Sequence, residues 1–289
     1  MNTSASQGGR IRALALDIDG TLLDPSHRIR PAVRDAVRRV DDAGVAVILA
    51  SARSVSAIRP LQAELGIGCR LMVACQGGIS VRILPPDASR PGGVAFSVVD
   101  SHPLATADAL AVLDVAAKRN LPVSWFGWPR WIVERGDVMA WREARIVGDW
   151  PSVVPDLREI AQAEPAYKLT VMAPAGREAE LAAVAAELPA GLRGAISRAD
   201  YLEITDRSVS KASALAAVLR HLGLEPSQLA AAGDGANDEE MLRLAGHSMA
   251  MGHAPAALRA LATWTLPSNA EDGLAAGLDR LFAEGLIDG

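Results

Sequence analysis

The amino-acid sequence predicts an α/β fold, a Rossmann-like parallel-sheet core interrupted by an inserted α+β domain. Three observations carry that expectation. Short apolar runs alternate with helical patterns near both ends of the chain, and the middle breaks this rhythm. The 289 residues exceed one average domain, and 50% of them are hydrophobic against 22% charged, enough to bury a substantial core.

Taken in order, Arg12 to Ile18 reads as an apolar strand, and Pro31 to Ala43 as a helix with Val33, Ala36, Val37 and Val40 on one face. Pro31 suits a first helical position and Gly44 the stop. Val45 to Ala50 is the next strand, Ser54 to Leu65 a helix ended by Gly66, and Leu71 to Cys75 a third strand. The tail resumes with helix Ser210–His221, strand Leu229–Ala232, helix Ala236–Ala245, strand Ser248–Met251, helix Pro255–Ala262, strand Thr263–Leu266 and helix Gly273–Ala283. Between them, the strand-like FSVV, VSWF, WIVE, KLTVM and GAIS alternate with helices Pro103–Arg119 and Gly176–Leu188. Pro85, Pro86, Pro91, Gly92 and Gly93 predict the exit linker, and the return is expected between Ser197 and Tyr201. The domains are therefore expected at 1–89 with 198–289 for the core and 90–197 for the insertion.

Composition removes several function classes. A formal charge of −5 supplies no positive field for a nucleic-acid backbone. No apolar run is long enough for a membrane span, and residues 1–10 lack a secretory pattern, so a polar leader and a cytoplasmic location are expected. Cys69 and Cys75 have no zinc-site spacing and are expected to be buried thiols. GxxxxGK[ST], HExxH and GxSxG are absent. The five histidines read as surface or capping residues.

The chemistry gathers at strand ends, where open parallel sheets bind ligands. The first strand runs into Asp17-Ile18-Asp19-Gly20-Thr21, two carboxylates and a glycine that lets the chain turn toward one bound group. Asp-Gly is also common turn chemistry, but DxDGT arises by chance at roughly 10⁻⁵ per start position. Ser51-Ala52-Arg53 ends the second strand, with a hydroxyl and backbone N–H groups able to hold a phosphate oxygen or simply cap a helix. Lys211 opens a helix, where positive charge opposes the dipole unless it binds an anion. The strand Leu229–Ala232 leads into GDGANDEEML, whose Asp234 and Asp238 can share a hard cation with Asp17. A dinucleotide fingerprint fails there, because Asp238 stands where close helix packing needs Gly or Ala.

DIDGTLL at 17–23, SAR at 51–53, Lys211 and GDGANDEEML at 233–242, in this order, resemble the four motifs of the haloacid dehalogenase-like (HAD) phosphohydrolase superfamily. The insertion after the third strand, QGG at 76–78, LEITDRSVSK at 202–211 and SNAEDGLA at 268–275 resemble its Cof-type members, whose insertion is a C2B cap. The resemblance implies a phosphatase acting on a small phosphorylated molecule, a sugar phosphate or related metabolite, through an aspartyl-phosphate. A sugar phosphomutase and a non-catalytic metabolite binder are the alternatives. It further implies Asp17 as nucleophile and Asp19 as acid and base, with Asp19 expected to be raised in pKa by its carboxylate neighbour. Mg²⁺ would be held by Asp17, the carbonyl of Asp19, Asp234 and Asp238. Ser51, Lys211 and Asn237 would bind the phosphate, and Ala52, Arg53, Gly77, Gly78 and Asn269 are candidate substrate contacts. The sequence departs from the family pattern where Ser51-Ala52 replaces Thr-Gly and where Gln76 replaces Asn. Five of the six Trp residues, 125, 128, 131, 141 and 150, fall in the insertion. They form either an aromatic platform, with Arg130 as an added anion site, or the insertion's own core.

Overall fold

The computed structural model describes residues 10–68, 70–84, 95–136 and 138–288. Cys69, the Pro/Gly linker at 85–93, the boundary at 89/90 and all but the last residue of the expected leader lie outside the described residues.

The chain opens β1 (Ala13–Leu16), α1 (Pro31–Asp42), β2 (Ala46–Ala50), α2 (Val55–Leu65) and β3 (Leu71–Ala74), and then adds β4 (Ile79–Ile83) and β5 (Phe96–Ser101). The insertion follows as α3 (Thr106–Lys118), β6 (Val123–Phe126), β7 (Trp131–Val133), α4 (Val138–Val147), β8 (Ser152–Val153), α5 (Leu157–Ala163), β9 (Lys168–Met172), α6 (Ala179–Ala186), β10 (Leu192–Arg198) and β11 (Tyr201–Asp206). The core resumes with α7 (Lys211–Leu222), β12 (Leu229–Gly233), α8 (Glu239–Leu244), β13 (His247–Ala250), α9 (Ala256–Leu261), β14 (Trp264–Thr265) and α10 (Gly273–Ala283).

Among the described residues the core sheet has the order β14-β13-β12-β1-β2-β3-β4-β5. It is parallel from β14 to β3 and antiparallel from β3 to β5. β1 is central and wholly buried, which is why it reads as a continuous apolar run. Its two faces are unequal: Leu14 and Leu16 pack with α1 and α10 residues such as Val37 and Leu278, while Ala13 and Ala15 face Leu215 and Val218 of α7. Each fully buried leucine contributes about 2 kcal/mol. Small residues on the second face leave α7 close to the sheet, and its first residue, Lys211, is thereby brought to the strand ends.

The insertion has its own sheet, β10-β11-β9-β6-β7-β8. Strand parity sorts its side chains into two layers. Trp125, Ile132, Leu169, Val171, Leu202 and Ile204 pack under the insertion helices, whereas Phe126, Trp131 and Val133 join the cluster of the core domain. No helix among the described residues is long and apolar enough to cross a membrane.

Two strands pair across the expected domain limits. Phe96–Ser101, read as the start of the insertion, pairs antiparallel with β4 and extends the core sheet. The return was expected between Ser197 and Tyr201, yet β11 pairs with both β10 and β9, so the insertion's sheet runs on to Asp206. The alternation of Leu202 and Ile204 with Glu203 and Thr205 serves this sheet rather than the core. The expected helix Ala236–Ala245 begins as a single 3₁₀ turn, Ala236–Asp238, before α8.

Candidate active site

At the carboxyl end of β1, the Asp17 backbone N–H continues the ladder to Ala232 (3.0 Å), and the chain then folds back, with Leu22 N–H on the Asp17 carbonyl (3.2 Å) and Leu23 N–H on Ile18 (2.9 Å). Gly20 has φ +89°, and a Cβ there would lie 2.2 Å from Oδ2 of Asp234. Glycine at this position therefore lets the first loop lie directly against the fourth. Gly20→Ala is expected to displace Asp234 and weaken divalent-cation binding about tenfold or more, measured by calorimetric titration.

Lys211 is 1% exposed. Its Nζ donates to Oδ1 of Asp17 (2.5 Å) and Oδ1 of Asp238 (2.7 Å). Ser210 caps α7 by accepting from Ser213 N–H (3.2 Å), so the cation at the helix start is held by carboxylates and not left against the dipole. The other oxygen of Asp238 accepts from the backbone N–H groups of Asp234 (3.0 Å) and Gly235 (2.9 Å). This is the local reason for the 3₁₀ turn: the carboxylate of its last residue closes the loop before it. Thr21 Oγ1 donates to Asp234 (3.3 Å), and His253 Nε2 lies 3.4 Å from the same carboxylate.

Ligand oxygens of Asp17, Asp234 and Asp238 all lie within 4.8 Å of one another. Burial raises Asp17 well above the usual carboxylate range, the Asp238 charge adds to this, and Lys211 opposes it. Asp234 is also raised, by burial first and then by Asp238, against His253 and Thr21. Burial acts to lower Lys211, but the Asp17 and Asp238 charges outweigh it and hold the ammonium above its ordinary value. Two of these carboxylates face one ammonium, while the third, Asp234, faces Thr21 and His253. An all-oxygen donor set of this kind can coordinate a hard divalent cation.

Asp19 points elsewhere. Its side chain is 46% exposed and receives a two-pronged bond from the nearly buried Arg53, Nη2 to Oδ1 (2.6 Å) and Nε to Oδ2 (2.8 Å). The charged group bonded to Asp19 is thus the Arg53 guanidinium, and the carboxylate expected beside it, Asp17, is turned to Lys211. Ser51, buried at the end of β2, accepts from Arg53 N–H (3.1 Å) through its hydroxyl.

Asp19, Ala52 and Arg53 also line a cavity of about 270 Å³ between the two domains, whose other wall includes Phe126, Trp131, Lys168, Tyr201 and Glu203. Lys211 and Asn237 line an adjacent cavity of about 260 Å³. The remaining candidates have structural partners. A Cβ on Gly77 would meet the Ser210 carbonyl at 2.3 Å and one on Gly78 the Tyr167 carbonyl at 2.7 Å, so both glycines serve close packing. Asn269 donates to the Leu23 carbonyl (2.7 Å) and braces the first loop. Asn237 donates to Oε1 of Gln76 (3.2 Å).

The tryptophans divide. Trp125 belongs to the insertion core, Trp131 lines the interdomain cavity, and Trp128 packs edge-on against Phe96 at 4.8 Å. Trp141 and Trp150 are exposed, 5.5 Å apart. Arg130 pairs with Glu164 and offers no free anion site. A continuous platform is not formed. Of the histidines read as surface or capping residues, His253 touches Asp234, His27 approaches Asp19 (3.7 Å), and the half-buried His247 packs against Trp264.

Lys168 lies in none of the motifs, and Glu203, inside LEITDRSVSK, has no site role in the sequence reading. Their signal is a charged residue at alternate positions of otherwise buried strands, KLTVM and YLEITD. Asp149 is missed as well; it accepts from Ser54 Oγ (2.8 Å) and Ser56 Oγ (2.6 Å) and ties the insertion to the start of α2.

The sequence profile of the haloacid dehalogenase-like hydrolases matches residues 14–278. The chain is 26% identical over 260 residues to an HMP-PP phosphatase of Serratia proteamaculans, covering 86% of this chain and 87% of the relative. It is 29% identical over 270 residues to a phosphoglycolate phosphatase of Natronomonas pharaonis, covering 93% and 97%. A haloacid dehalogenase-like hydrolase from Bacteroides thetaiotaomicron shares the fold with a TM-score of 0.82 at 23% identity, over 94% of this chain and all of that one. With its four motifs converging at the strand ends of the core sheet, the chain belongs to the haloacid dehalogenase-like hydrolases, in their Cof-type phosphatase branch.

Proposed function

We propose that the protein is a magnesium-dependent phosphatase of small phosphate monoesters, with Asp17 as nucleophile and Asp19 as general acid and base. The observation that carries this reading is the division of labour between the two carboxylates. Asp17 is buried, fixed by Lys211 and set within the acidic cluster, while Asp19 is oriented by Arg53 toward the cavity.

Asp17 attacks phosphorus and the bond to the leaving oxygen breaks, with Asp19 delivering a proton to that oxygen. Asp19 then takes a proton from water as it attacks the aspartyl-phosphate, which releases inorganic phosphate and restores Asp17. Magnesium held by Asp17, the Asp19 carbonyl and Asp234, with Asp238 beside them, would supply positive charge for the phosphoryl oxygens. Lys211, Ser51 and Asn237 bind those oxygens. Lys211 also keeps Asp17 in place, and Asp238 keeps Lys211 in place.

The cavity volume of about 270 Å³ suits a compact leaving group. Its stacked Phe126 and Trp131 rings, 5.5 Å apart, lie beside Lys168, Tyr201 and Glu203. That mixture of apolar and polar groups favours a sugar or similar hydroxylated ring over a bare two-carbon acid such as the Natronomonas relative's named substrate. Phosphate release from a panel of sugar phosphates, nucleotides and phospho-acids is the test. Turnover concentrated on sugar phosphates and abolished by chelator is expected. Turnover insensitive to chelator would refute the metal assignment, and isomerised sugar phosphate without phosphate release would identify a mutase.

A further inference from the structure

A bonded path leads from the insertion to the loop after β2 and the loop after β12. Lys168 Nζ donates to the Ala52 carbonyl (2.8 Å), in the middle of the Ser51-Ala52-Arg53 loop. It also pairs with Oε1 of Glu203 (3.2 Å), whose other oxygen accepts from Gln76 Nε2 (2.9 Å). Oε1 of Gln76 accepts from Asn237 (3.2 Å). The path therefore starts on the loop after β2 and ends on the loop after β12, crossing the insertion on the way. The backbone of Gln76 closes it, because its N–H donates to the Ser51 carbonyl (3.1 Å), and Cys75 N–H donates to Arg53 (2.9 Å). Cys75 and Gln76 both have positive φ, 53° and 60°, a conformation that non-glycine residues hold only where surroundings enforce it.

Sheet register explains how Lys168 and Glu203 come together. Phe126 is paired with Lys168, and Thr170 with Glu203, so Lys168 and Glu203 are diagonal neighbours on one face of adjacent strands. Lys168 Nζ also lies 4.4 Å from the Phe126 ring centroid. The lysine is 4% exposed, and a buried ammonium is tolerated only when fully partnered. Half of its partnership is a carbonyl of the opposite domain. An ion pair that served the insertion's stability alone would have no need of that carbonyl.

We propose that Lys168 and Glu203 are positioning residues that complete both phosphate-binding loops when the insertion is seated on the core. The inference rests on the phosphatase reading and adds a role for the cap in phosphate binding itself, in addition to leaving-group choice. Closure and completion of the phosphate site become one event.

Lys168→Met and Gln76→Met separate this from a leaving-group contact, with inorganic phosphate, which carries no leaving group, as the competitive probe. Gln76→Met keeps the buried ion pair and removes both amide bonds of Gln76, to Glu203 and to Asn237, so it remains informative if Lys168→Met folds poorly. Both variants are expected to raise the inhibition constant of inorganic phosphate about tenfold, with the ranking among leaving groups retained. Unchanged phosphate inhibition in well-folded variants would overturn the proposal, whether the leaving-group ranking changes or stays. If the parent protein itself neither hydrolyses any phosphate monoester nor binds inorganic phosphate, the phosphatase reading falls, a result distinct from parent inhibition that the variants leave untouched.

Discussion

Asp17→Asn lowers kcat by about 10³-fold or more while the fold survives. An amide cannot form the acyl phosphate, and the neighbouring carboxylates are placed otherwise: Asp19 bonds Arg53, Asp238 bonds Lys211 and two backbone amides, and Asp234 bonds Thr21 beside His253. The stability effect has the opposite sign. Asp17 is raised above its unfolded value by burial, so the metal-free native state binds a proton more tightly than the unfolded chain does. Its contribution to stability is therefore present below the ordinary carboxylate range and is lost as pH rises toward the raised value. Asp17→Asn removes that loss. In chelator at neutral pH the variant should melt no lower than the parent, and the parent should gain more stability than the variant as pH falls through this window, since the raised Asp234 is common to both. Thermal melts across pH, beside steady-state rates, check both signs.

Lys211→Met is expected to cost about 3–5 kcal/mol and to abolish turnover. The ammonium is the sole cation bonded to Asp17 and Asp238 in the described contacts, and both carboxylates are buried. Its removal leaves like charges facing one another without a counter-charge, a larger penalty than the loss of two hydrogen bonds. Magnesium should restore part of the lost stability by supplying charge in the same place. Urea unfolding with chelator and with excess magnesium measures both effects. If the penalty in chelator is under about 1 kcal/mol, buried Asp17 and Asp238 do not depend on Lys211 as their partner, and the ammonium is not what holds the site together.

Much of this architecture is legible in the sequence, for identifiable reasons. Parallel strands buried on both faces appear as uninterrupted apolar runs, as in Ala13–Leu16 and Leu229–Gly233. Asp17, Asp19, Asp234 and Asp238 stand out because loops at strand ends carry few residues and DxDGT and GDGAND fill them with carboxylates. What escapes is whatever depends on two distant segments meeting. Lys168 and Glu203 are 35 positions apart, and only the register of β9 against β11 makes them partners. His253 follows β13 and reaches Asp234 because those strands are neighbours. The packing role of Gly77 and Gly78 is hidden for the same reason, since the carbonyls that approach them belong to Ser210 and Tyr167, far along the chain. The place of β5 is equally hidden, because only its antiparallel pairing with β4 assigns Phe96–Ser101 to the core sheet.

The central claim is that phosphate passes through a covalent bond to Asp17. Borohydride reduction of enzyme quenched during turnover, followed by peptide mapping, reads this directly, since an acyl phosphate is reduced to an alcohol at the residue that carried it. Reduction at position 17 in the parent, and none there in Asp17→Asn, is the predicted result. A phosphoenzyme trapped on another residue, or rapid turnover with no reducible residue at any point of the time course, would contradict it.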